Sequence, residues 1–270
     1  MHFSSESNII CFKPKKLTDE EIIESNIPNN LKTVIDKTIM INNEYYYSKT
    51  INEESLINEL IGTYLAKLIN LDAVDYKIGN YNDNLYALSK LFYNQQFDYT
   101  YVHNYYNKYA SANNTSLLKC MFSPFIYIED SMVELVENKE MINNILKLIL
   151  LDIKMGQVDR HIFNLLIKIN KETKQVDLAP IYDFSYSYVD NLNTYIYENP
   201  FIELKENIFS LKAFSLKYPQ IKEYLDILLH TNIQDVLNDI EDKNNIKIDN
   251  KYIDKYIYKD RQYTRTLKKF

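Results

Sequence analysis

Apolar residues recur at helical intervals in two long stretches of the chain. The first stretch follows the polar run Asn52–Ser55 and consists of Leu56, Ile57, Leu60, Ile61, Tyr64, Leu65 and Leu68. The second consists of Met141, Ile142, Ile145, Leu146, Ile149, Leu150 and Ile153. Residues three and four positions apart share one face of a helix. The spacing therefore predicts an amphipathic helix over residues 54–69 and a buried helix that ends at Gly156.

Runs of β-branched and aromatic residues predict strands before the first helix. One strand is expected over residues 31–35. A hairpin is expected where residues 39–41 turn through Asn42 and Asn43 into residues 44–49. Asparagine tolerates the positive φ that a tight hairpin turn needs. The chain therefore enters the first helix from the second strand of a hairpin.

Strands and helices alternate irregularly along the rest of the chain. A pair of strands, residues 76–80 and 85–89, is predicted around a polar turn. Residues 94–114 are polar and rich in tyrosine, which favours a loop or a loosely helical insert. Residues 165–178 predict a second hairpin, and apolar sets between residues 208 and 240 predict packed helices. The fold class is therefore α+β.

Size and charge limit the classes of function. The chain has 270 residues and a mass of 32.2 kDa, which is long enough for one two-lobed unit with a sizeable core. Its 31 Lys and Arg residues face 37 Asp and Glu residues, so the net charge is −6 and the pI is about 5.4. This balance gives no electrostatic basis for direct binding to nucleic acid.

Cysteine usage and the N-terminus bear on the compartment. Cys11 and Cys120 are far apart and show no metal-binding spacing, which suits a reducing cytosol. No stretch reaches eighteen uninterrupted apolar residues, and Met1–Lys16 lacks the pattern of a secretory signal. The chain is predicted to be cytoplasmic and to have no membrane span, with a secreted effector as the alternative.

Two carboxylates and an amide stand at an informative spacing after the second helix. Asp159 and Asn164 are five positions apart, and Asp183 follows in the run Ile181-Tyr182-Asp183-Phe184. A kinase needs one carboxylate to orient the attacking hydroxyl and an amide and a second carboxylate to hold magnesium. The same five-residue interval separates the Asp and Asn of the protein-kinase catalytic loop. The predicted hairpin would bring Asn164 and Asp183 close enough to share the metal ion.

Each of these residues also has an ordinary structural explanation. Asp159 could cap a turn, Asn164 could start a strand, and Asp183 could end a hairpin, because Asp and Asn readily bond to nearby backbone. Their combination, framed by Gly156 and Pro180, favours the functional interpretation.

A lysine and a glutamate upstream would complete a nucleotide site. Kinases place a strand lysine against the phosphates and hold it with a helix carboxylate. Lys49 lies at the end of the predicted hairpin, and Glu59 lies in the helix that follows. Glu53 and Glu54 are rival partners in the same helix. A solvated lysine at a strand end is the structural alternative.

The motif Asp159-Arg160-His161-x-x-Asn164, followed by Asp183-Phe184, resembles two groups of kinases. These are the phosphatidylinositol kinases and the bacterial HipA-like serine/threonine kinases. Phosphatidylinositol kinases would be expected to follow the second acid with Phe-Gly, and here Ser185 replaces the glycine. The preceding Leu-Ala-Pro-Ile-Tyr and the upstream Asn-Glu-Leu helix are similar to HipA-like kinases.

This resemblance implies a bilobal, protein-kinase-like fold. A small β-rich lobe with one helix would occupy residues 1–91, and a mainly helical lobe would occupy residues 92–270. ATP and Mg²⁺ are the implied cofactors, bound in the cleft between the lobes. Compared with full-length HipA, the chain begins close to the kinase core, so an antitoxin-like partner is unsupported.

The resemblance also implies further site residues. Ser89 and Leu91 would lie at the hinge that binds the adenine edge. Asp36-Lys37-Thr38 resembles the end of a mobile phosphate loop, which would make Lys37 a phosphate contact. His161 would brace the catalytic loop, and Arg160 would contact an acidic group or a phosphate. No glycine occurs between Met1 and Ile61, so a glycine-rich phosphate loop is missing.

The predicted function is transfer of the γ-phosphate of ATP to a Ser or Thr hydroxyl of a protein substrate, with autophosphorylation as a hypothesis. Thr33, Thr38 and Ser185 are the candidate acceptors near the site. Three alternatives stay open: a lipid or small-molecule kinase, a pseudokinase that only binds partners, and an interaction protein in which the motif is coincidental.

Overall fold

A computed structural model gives the architecture of the chain. The description covers residues 15–16, 22–23, 38–41, 44–81, 84–92, 94–101, 139–160, 164–188, 216 and 218–268. Within these ranges the chain forms a six-stranded sheet that carries one helix, a three-stranded sheet and four further helices. The predicted α+β class, with a small sheet-rich part followed by a mainly helical part, is confirmed.

The larger sheet contains the predicted hairpins. Its strands are β1 (Lys15–Lys16), β2 (Ile22–Ile23), β3 (Thr38–Ile41), β4 (Glu44–Thr50), β5 (Tyr76–Tyr81) and β6 (Asn84–Lys90). Their order is β1-β5-β6-β4-β3-β2. Ile41 pairs with Glu44 and Tyr81 pairs with Asn84, so the strand pairing of both predicted hairpins is confirmed. The turn residues 42–43 and 82–83 lie outside the described residues. The strand expected over residues 31–35 lies outside the described residues.

The helix that follows β4 is the amphipathic helix predicted from the apolar spacing. This helix, α1, spans Glu53–Leu68 and begins at Asn52, whose side chain accepts a hydrogen bond from the backbone N–H of Ser55 at 2.8 Å. Such a cap satisfies one of the free donors of the first turn. Its apolar side chains Leu56, Ile57, Ile61 and Leu65 are buried. The cap and the apolar face fix which side of α1 points inward.

The smaller sheet corrects one prediction. It consists of β7 (Phe97–Tyr101), β8 (Leu166–Asn170) and β9 (Val176–Leu178) in that order. The predicted β8–β9 hairpin is confirmed, with Ile169 paired to Val176. Residues 97–101, however, form a strand and not the expected loop or helical insert. The interpretation was wrong because this strand is only half-buried and its partner β8 lies some seventy residues later.

The second predicted helix leads directly into the Asp159 segment. This helix, α2, spans Lys139–Met155, and Gly156 follows with a φ of +57°. Glycine adopts this left-handed conformation without steric cost, which allows the chain to leave the helix sharply. A β-carbon at this position would also lie 2.0 Å from Cζ of Tyr263. The glycine is therefore needed both for the turn and for the packing.

Three helices complete the described part of the chain. They are α3 (Ile221–His230), α4 (Ile233–Asn244) and α5 (Asn250–Leu267). The sequence pattern predicted α3 and α4, whereas no helix was predicted over the residues of α5. This last helix packs on α2 and reaches the start of α1, where Lys255 pairs with Glu54 at 2.5 Å. No helix among the described residues is long and apolar enough to cross a membrane.

Candidate active site

Lys49 lies near the end of β4, on the side of the larger sheet that faces the segment after β9. Its Nζ donates hydrogen bonds to Oδ1 of Asp183 at 2.7 Å and to Oγ of Ser185 at 2.8 Å. The side chain of Lys49 is 31% exposed, and that of Asp183 is 24% exposed. The lysine and the acid are therefore paired in a cleft that is open to ligands on one side.

Glu59 points from α1 toward the same cluster. Its carboxylate is completely buried, and Oε1 lies 3.6 Å from Nζ of Lys49. The backbone N–H of Phe184 donates to Oε2 at 2.8 Å, and the hydroxyl of Ser185 donates to Oε1 at 2.6 Å. The rival acid Glu54 pairs instead with Lys255 of α5. Of the acids weighed, Glu59 is thus the one that lies beside Lys49.

The segment that carries Asp183 is held in an unusual backbone conformation. Asp183 has a φ of +64°, a left-handed value that non-glycine residues seldom adopt. Its carbonyl accepts a hydrogen bond from Nε2 of Gln157 at 2.8 Å, and Asn58 of α1 donates to the carbonyls of Ser185 and Ser187 at 2.9 and 2.8 Å. These bonds offset the local strain and fix the carboxylate beside Lys49.

A hydrogen bond joins Asp159 and Asn164. Nδ2 of Asn164 donates to the backbone carbonyl of Asp159 at 2.8 Å. The backbone N–H of Asp159 donates to Oε1 of Gln157 at 3.2 Å. Because Nε2 of Gln157 also reaches the carbonyl of Asp183, one amide side chain connects the two acidic segments. The sequence offered no signal for this role of Gln157.

Arg160 connects the Asp159 segment to the Asp183 segment and to α2. Its side chain is completely buried, its Nε lies 3.1 Å from Oδ2 of Asp152 in α2, and its guanidinium donates to the carbonyl of Tyr182 at 2.7 Å. The guanidinium carbon also lies 5.0 Å from the ring centre of Phe184. Arg160 thus contacts an acidic group, one of the two partners expected for it. Burial raises the pKa of Asp152 to about 6, although the adjacent Arg160 acts in the opposite direction.

Two carboxylates and one ammonium determine the electrostatics of the cleft. Burial raises the pKa of Glu59, and repulsion from Asp183 adds to that rise. Burial acts to lower the pKa of Lys49, but attraction to Asp183 and Glu59 outweighs it, so the net shift is upward. The cluster of two acids and one base carries a net negative charge when all three groups are ionised. A cation bound at Asp183 would therefore reduce repulsion within the site.

The donor atoms near the loop suit magnesium. Mg²⁺ prefers oxygen ligands and is commonly held by one or two carboxylates together with substrate phosphates and water. The carboxylate of Asp183 and the amide oxygen of Asn164 are ligands of this type. The ranges that the structure describes contain no cluster of three or more His, Cys, Asp or Glu residues able to enclose a metal ion.

The other predicted site residues divide into two groups. Ser89 is a buried residue of β6, opposite Tyr47 and Tyr76, and Leu91 follows the end of that strand half-buried. These positions lie where the larger sheet ends, and their contact with adenine stays a prediction.

The remaining predicted residues are either outside the structure or poorly placed. Lys37 and His161 lie outside the described residues. Thr33 also lies outside them, whereas Ser185 is only 6% exposed and bonded on both sides. Its hydroxyl is thus poorly placed to accept a phosphate.

Close packing of Phe184 on α1 gives a first testable prediction. A β-carbon on Gly62 would lie 2.2 Å from Cγ of Phe184. We expect Gly62→Ala to displace this ring and to lower the free energy of unfolding by about 1–3 kcal/mol, as over-packed cores do. Urea denaturation of both proteins measures the difference. Lys67→Ala, at an exposed position of the same helix, serves as a comparison, since it adds no atoms to the core. Equal stability of Gly62→Ala and wild type would contradict the close contact.

Comparison with known proteins supports the fold. Over 94% of both chains, the structure is similar to a crystal structure of a Helicobacter pylori proinflammatory kinase, CtkA, with a TM-score of 0.58 and 16% identity. It is also similar to HipA of Shewanella oneidensis MR-1, solved as a toxin–antitoxin complex with HipB and operator DNA, with a TM-score of 0.56 and 13% identity. That match covers 87% of this chain and 60% of HipA.

Sequence comparisons add nothing to this picture. No family model matches the chain, and no curated protein matches it. At 16% and 13% identity the similarity to the two solved structures is one of fold. At that level the predicted resemblance to HipA-like kinases is confirmed, as is the kinase-like arrangement of a small sheet lobe and a helical part.

Proposed function

We propose that this protein is an ATP- and Mg²⁺-dependent kinase that transfers the γ-phosphate of ATP to a Ser or Thr hydroxyl of a protein. The contact between Lys49 and Asp183 at 2.7 Å, with Glu59 behind it, is the observation that carries the proposal. A strand lysine, a helix glutamate and a metal-binding aspartate are the parts that a kinase must assemble around the phosphates. Here the adjacent elements β4 and α1 supply the lysine and the glutamate, and the segment after β9, more than 120 positions later, supplies the aspartate.

Each residue has a distinct role in this proposal. Asp159 orients the attacking hydroxyl and accepts its proton, and Lys49 binds phosphate oxygens. Asn164 and Asp183 would hold Mg²⁺, whose charge offsets the negative charge of the phosphates. Positioning of this kind lowers the barrier because the reacting groups no longer need to find each other. Ser89, near the end of β6, and Leu91, just after it, bind adenine.

Two further predicted roles concern residues that the structure does not describe. His161 would brace the Asp159 loop from within, and Lys37 would contact phosphate. The cleft would lie between a first lobe of residues 1–91 and a second lobe of residues 92–270. The larger sheet, which ends with β6 at Lys90, and the pairing of β7 with β8 support a boundary near residue 91.

The comparisons bear on the type of kinase. The chain matches CtkA, which is described as a proinflammatory kinase, over nearly its whole length, but spans only 60% of HipA. A HipA-like protein kinase is therefore the form that we propose, and an antitoxin-like partner, although possible, is unsupported. The known operator DNA complex belongs to the HipA system, and the net charge of −6 on this chain does not favour such binding.

A phosphate-transfer assay tests the proposal. Purified protein is incubated with γ-labelled ATP and Mg²⁺, with and without a generic protein substrate, beside Lys49→Met and Asp183→Asn. We expect labelled protein with the wild type and a fall of at least about tenfold in both variants, because each removes a group that acts on phosphate charge. Lys222→Met and Asp226→Asn, two exposed positions of α3, are the matched controls.

The outcomes separate the proposed function from its rivals. Transfer that persists in Lys49→Met and Asp183→Asn would contradict the assigned site. Nucleotide binding without labelled protein would direct the search to lipids and small molecules as acceptors. Failure of the wild type to bind ATP with Mg²⁺ would indicate a kinase-like interaction protein.

A further inference from the structure

The hydroxyl of Ser185 occupies the space between Lys49 and Glu59. Oε1 of Glu59 lies 3.6 Å from the ammonium of Lys49, which is longer than the usual 2.7–2.9 Å of a charged hydrogen bond. Oγ of Ser185 lies 2.8 Å from that ammonium and 2.6 Å from that carboxylate oxygen. The two charged groups therefore meet through a hydroxyl and not by direct contact.

The chemistry of serine fixes the direction of both bonds. A hydroxyl has one proton to donate and two lone pairs that accept. Since Glu59 only accepts when it is ionised and Lys49 only donates, the proton of Ser185 points to Glu59 and a lone pair faces Lys49. The backbone carbonyl of Ser185 is in turn bound by Asn58 at 2.9 Å. The residue is 6% exposed, so water competes little for these bonds.

This arrangement determines where the lysine ammonium rests. Both short bonds of Lys49 go to the 183–185 segment, one to Asp183 and one to Ser185. Without the hydroxyl, the ammonium would be drawn toward the buried carboxylate of Glu59, which would otherwise lose a hydrogen bond. Such a movement would take the ammonium away from Asp183, where the proposed phosphate and metal sites adjoin.

We propose that Ser185 is a positioning residue that holds the ammonium of Lys49 beside Asp183 by relaying the charge of Glu59 through its hydroxyl. The inference rests on the proposed function, because it assigns a purpose to the position of Lys49 in nucleotide binding. Ser185 takes no part in the transfer itself. It acts through Lys49, and its contribution disappears when Lys49 is absent.

A double-mutant cycle on nucleotide binding tests this dependence. Calorimetry measures the dissociation constant of ATP with Mg²⁺ for wild type, Ser185→Ala, Lys49→Met and the double variant. We expect Ser185→Ala to weaken binding by about 10-fold to 100-fold, the range for one hydrogen bond to a charged group. In the Lys49→Met background the same substitution should change the dissociation constant little. Equal weakening in both backgrounds would overturn the proposal, because a purely structural serine would act regardless of Lys49.

Ser187 provides the matched control. Its hydroxyl is completely buried two residues further along the same segment and makes no hydrogen bond. Ser187→Ala removes the same atoms without removing a bond, so ATP binding should stay at the wild-type value. Ser185→Thr, which keeps the hydroxyl, should bind ATP close to wild type. Equal weakening by Ser185→Ala and Ser187→Ala would also overturn the proposal.

The binding cycle and the transfer assay fail in different ways. If the wild type transfers phosphate but the cycle is additive, the role of Ser185 is wrong and the proposed function stands. If ATP binds with the expected non-additivity but no transfer to any protein occurs, the role of Ser185 stands and the proposed protein kinase activity is wrong. If the wild type binds no ATP, both are overturned.

Discussion

Replacing Asp159 by alanine is expected to lower kcat by about 10²–10⁴-fold, the usual contribution of a positioned general base. The KM for ATP should change little, because the carboxylate is proposed to act on the acceptor hydroxyl and not on the nucleotide. Steady-state kinetics, in which the ATP concentration is varied at a fixed concentration of protein substrate, measures kcat and the KM for ATP separately. The same variant provides a test of folding, since two hydrogen bonds of Asp159 come from its main chain.

Two hydrogen bonds of Asp159 should survive the substitution because they involve its backbone. The N–H of Asp159 donates to Gln157, and its carbonyl accepts from Asn164, and both groups remain after the side chain is removed. We therefore expect the variant to fold, with a free energy of unfolding lowered by no more than about 1 kcal/mol, the typical effect of a single substitution. Asp242→Ala, at an exposed position of α4, is the control for loss of an acid elsewhere. Unchanged kcat in Asp159→Ala would contradict the assignment of this residue.

Replacing Arg160 by methionine is expected to lower the free energy of unfolding by about 3–5 kcal/mol, as removal of one partner of a buried ion pair does. The guanidinium is completely buried and provides the charge that faces Asp152, a hydrogen bond to the carbonyl of Tyr182 and a contact with Phe184. Without it, the carboxylate of Asp152 would remain buried and uncompensated. Urea denaturation of the variant beside wild type gives the difference.

The loss of stability in Arg160→Met should depend on pH. The pKa of Asp152 in the folded protein is already raised to about 6 from its ordinary 3.8, and removal of the arginine would raise it further. Because the pKa of Asp152 is higher in the folded state than in the unfolded state, protonation of this carboxyl favours folding. This contribution to stability is fully present below pH 3.8. That stability is lost as the pH rises through the folded value, by up to about 1.4 kcal/mol per pH unit. The variant should therefore be closer to wild type near about pH 5 than near about pH 8.

A second substitution identifies the group responsible. Asp152→Asn combined with Arg160→Met removes the titrating carboxyl, so the extra pH dependence of the single variant should disappear. Asp226→Asn combined with Arg160→Met retains the buried acid and should keep that dependence. A single variant whose stability relative to wild type is the same at both pH values would show that Asp152 does not titrate in response to Arg160.

Local sequence patterns predicted the elements whose signals lie within a few residues. The apolar spacing of α1 and the pairing of the neighbouring strands β3 and β4 are local features, and both are confirmed. Strand β7 was missed because its register is set by β8, far along the chain. Helix α5 was missed because its buried face is formed by tyrosines as well as by Leu267, so no run of aliphatic residues marks it.

The candidate site shows the same division. Asp159, Asn164 and Asp183 stood out because their spacing matches a chemical requirement. Gln157 and Ser185 could not be found in this way, since an amide or a hydroxyl acquires its role only from the groups that the fold brings to it. Ser185 was noted only as a departure from glycine and as a candidate phosphate acceptor. Its position between two charged side chains, from β4 and α1, depends on contacts that span more than 120 residues.

The contact between α5 and α1 has a consequence for synthesis of the protein. Lys255 and Glu54, which join the last helix to the one that carries Glu59, are separated by 201 positions. During translation, which adds about 5–20 residues each second, α1 therefore emerges many seconds before its partner. In the later part of that interval, once Asp183 has been added, the nascent chain contains Lys49, Glu59 and Asp183 but still lacks the helix that contacts α1. The order of synthesis thus delays completion of the proposed site until α5 has been made.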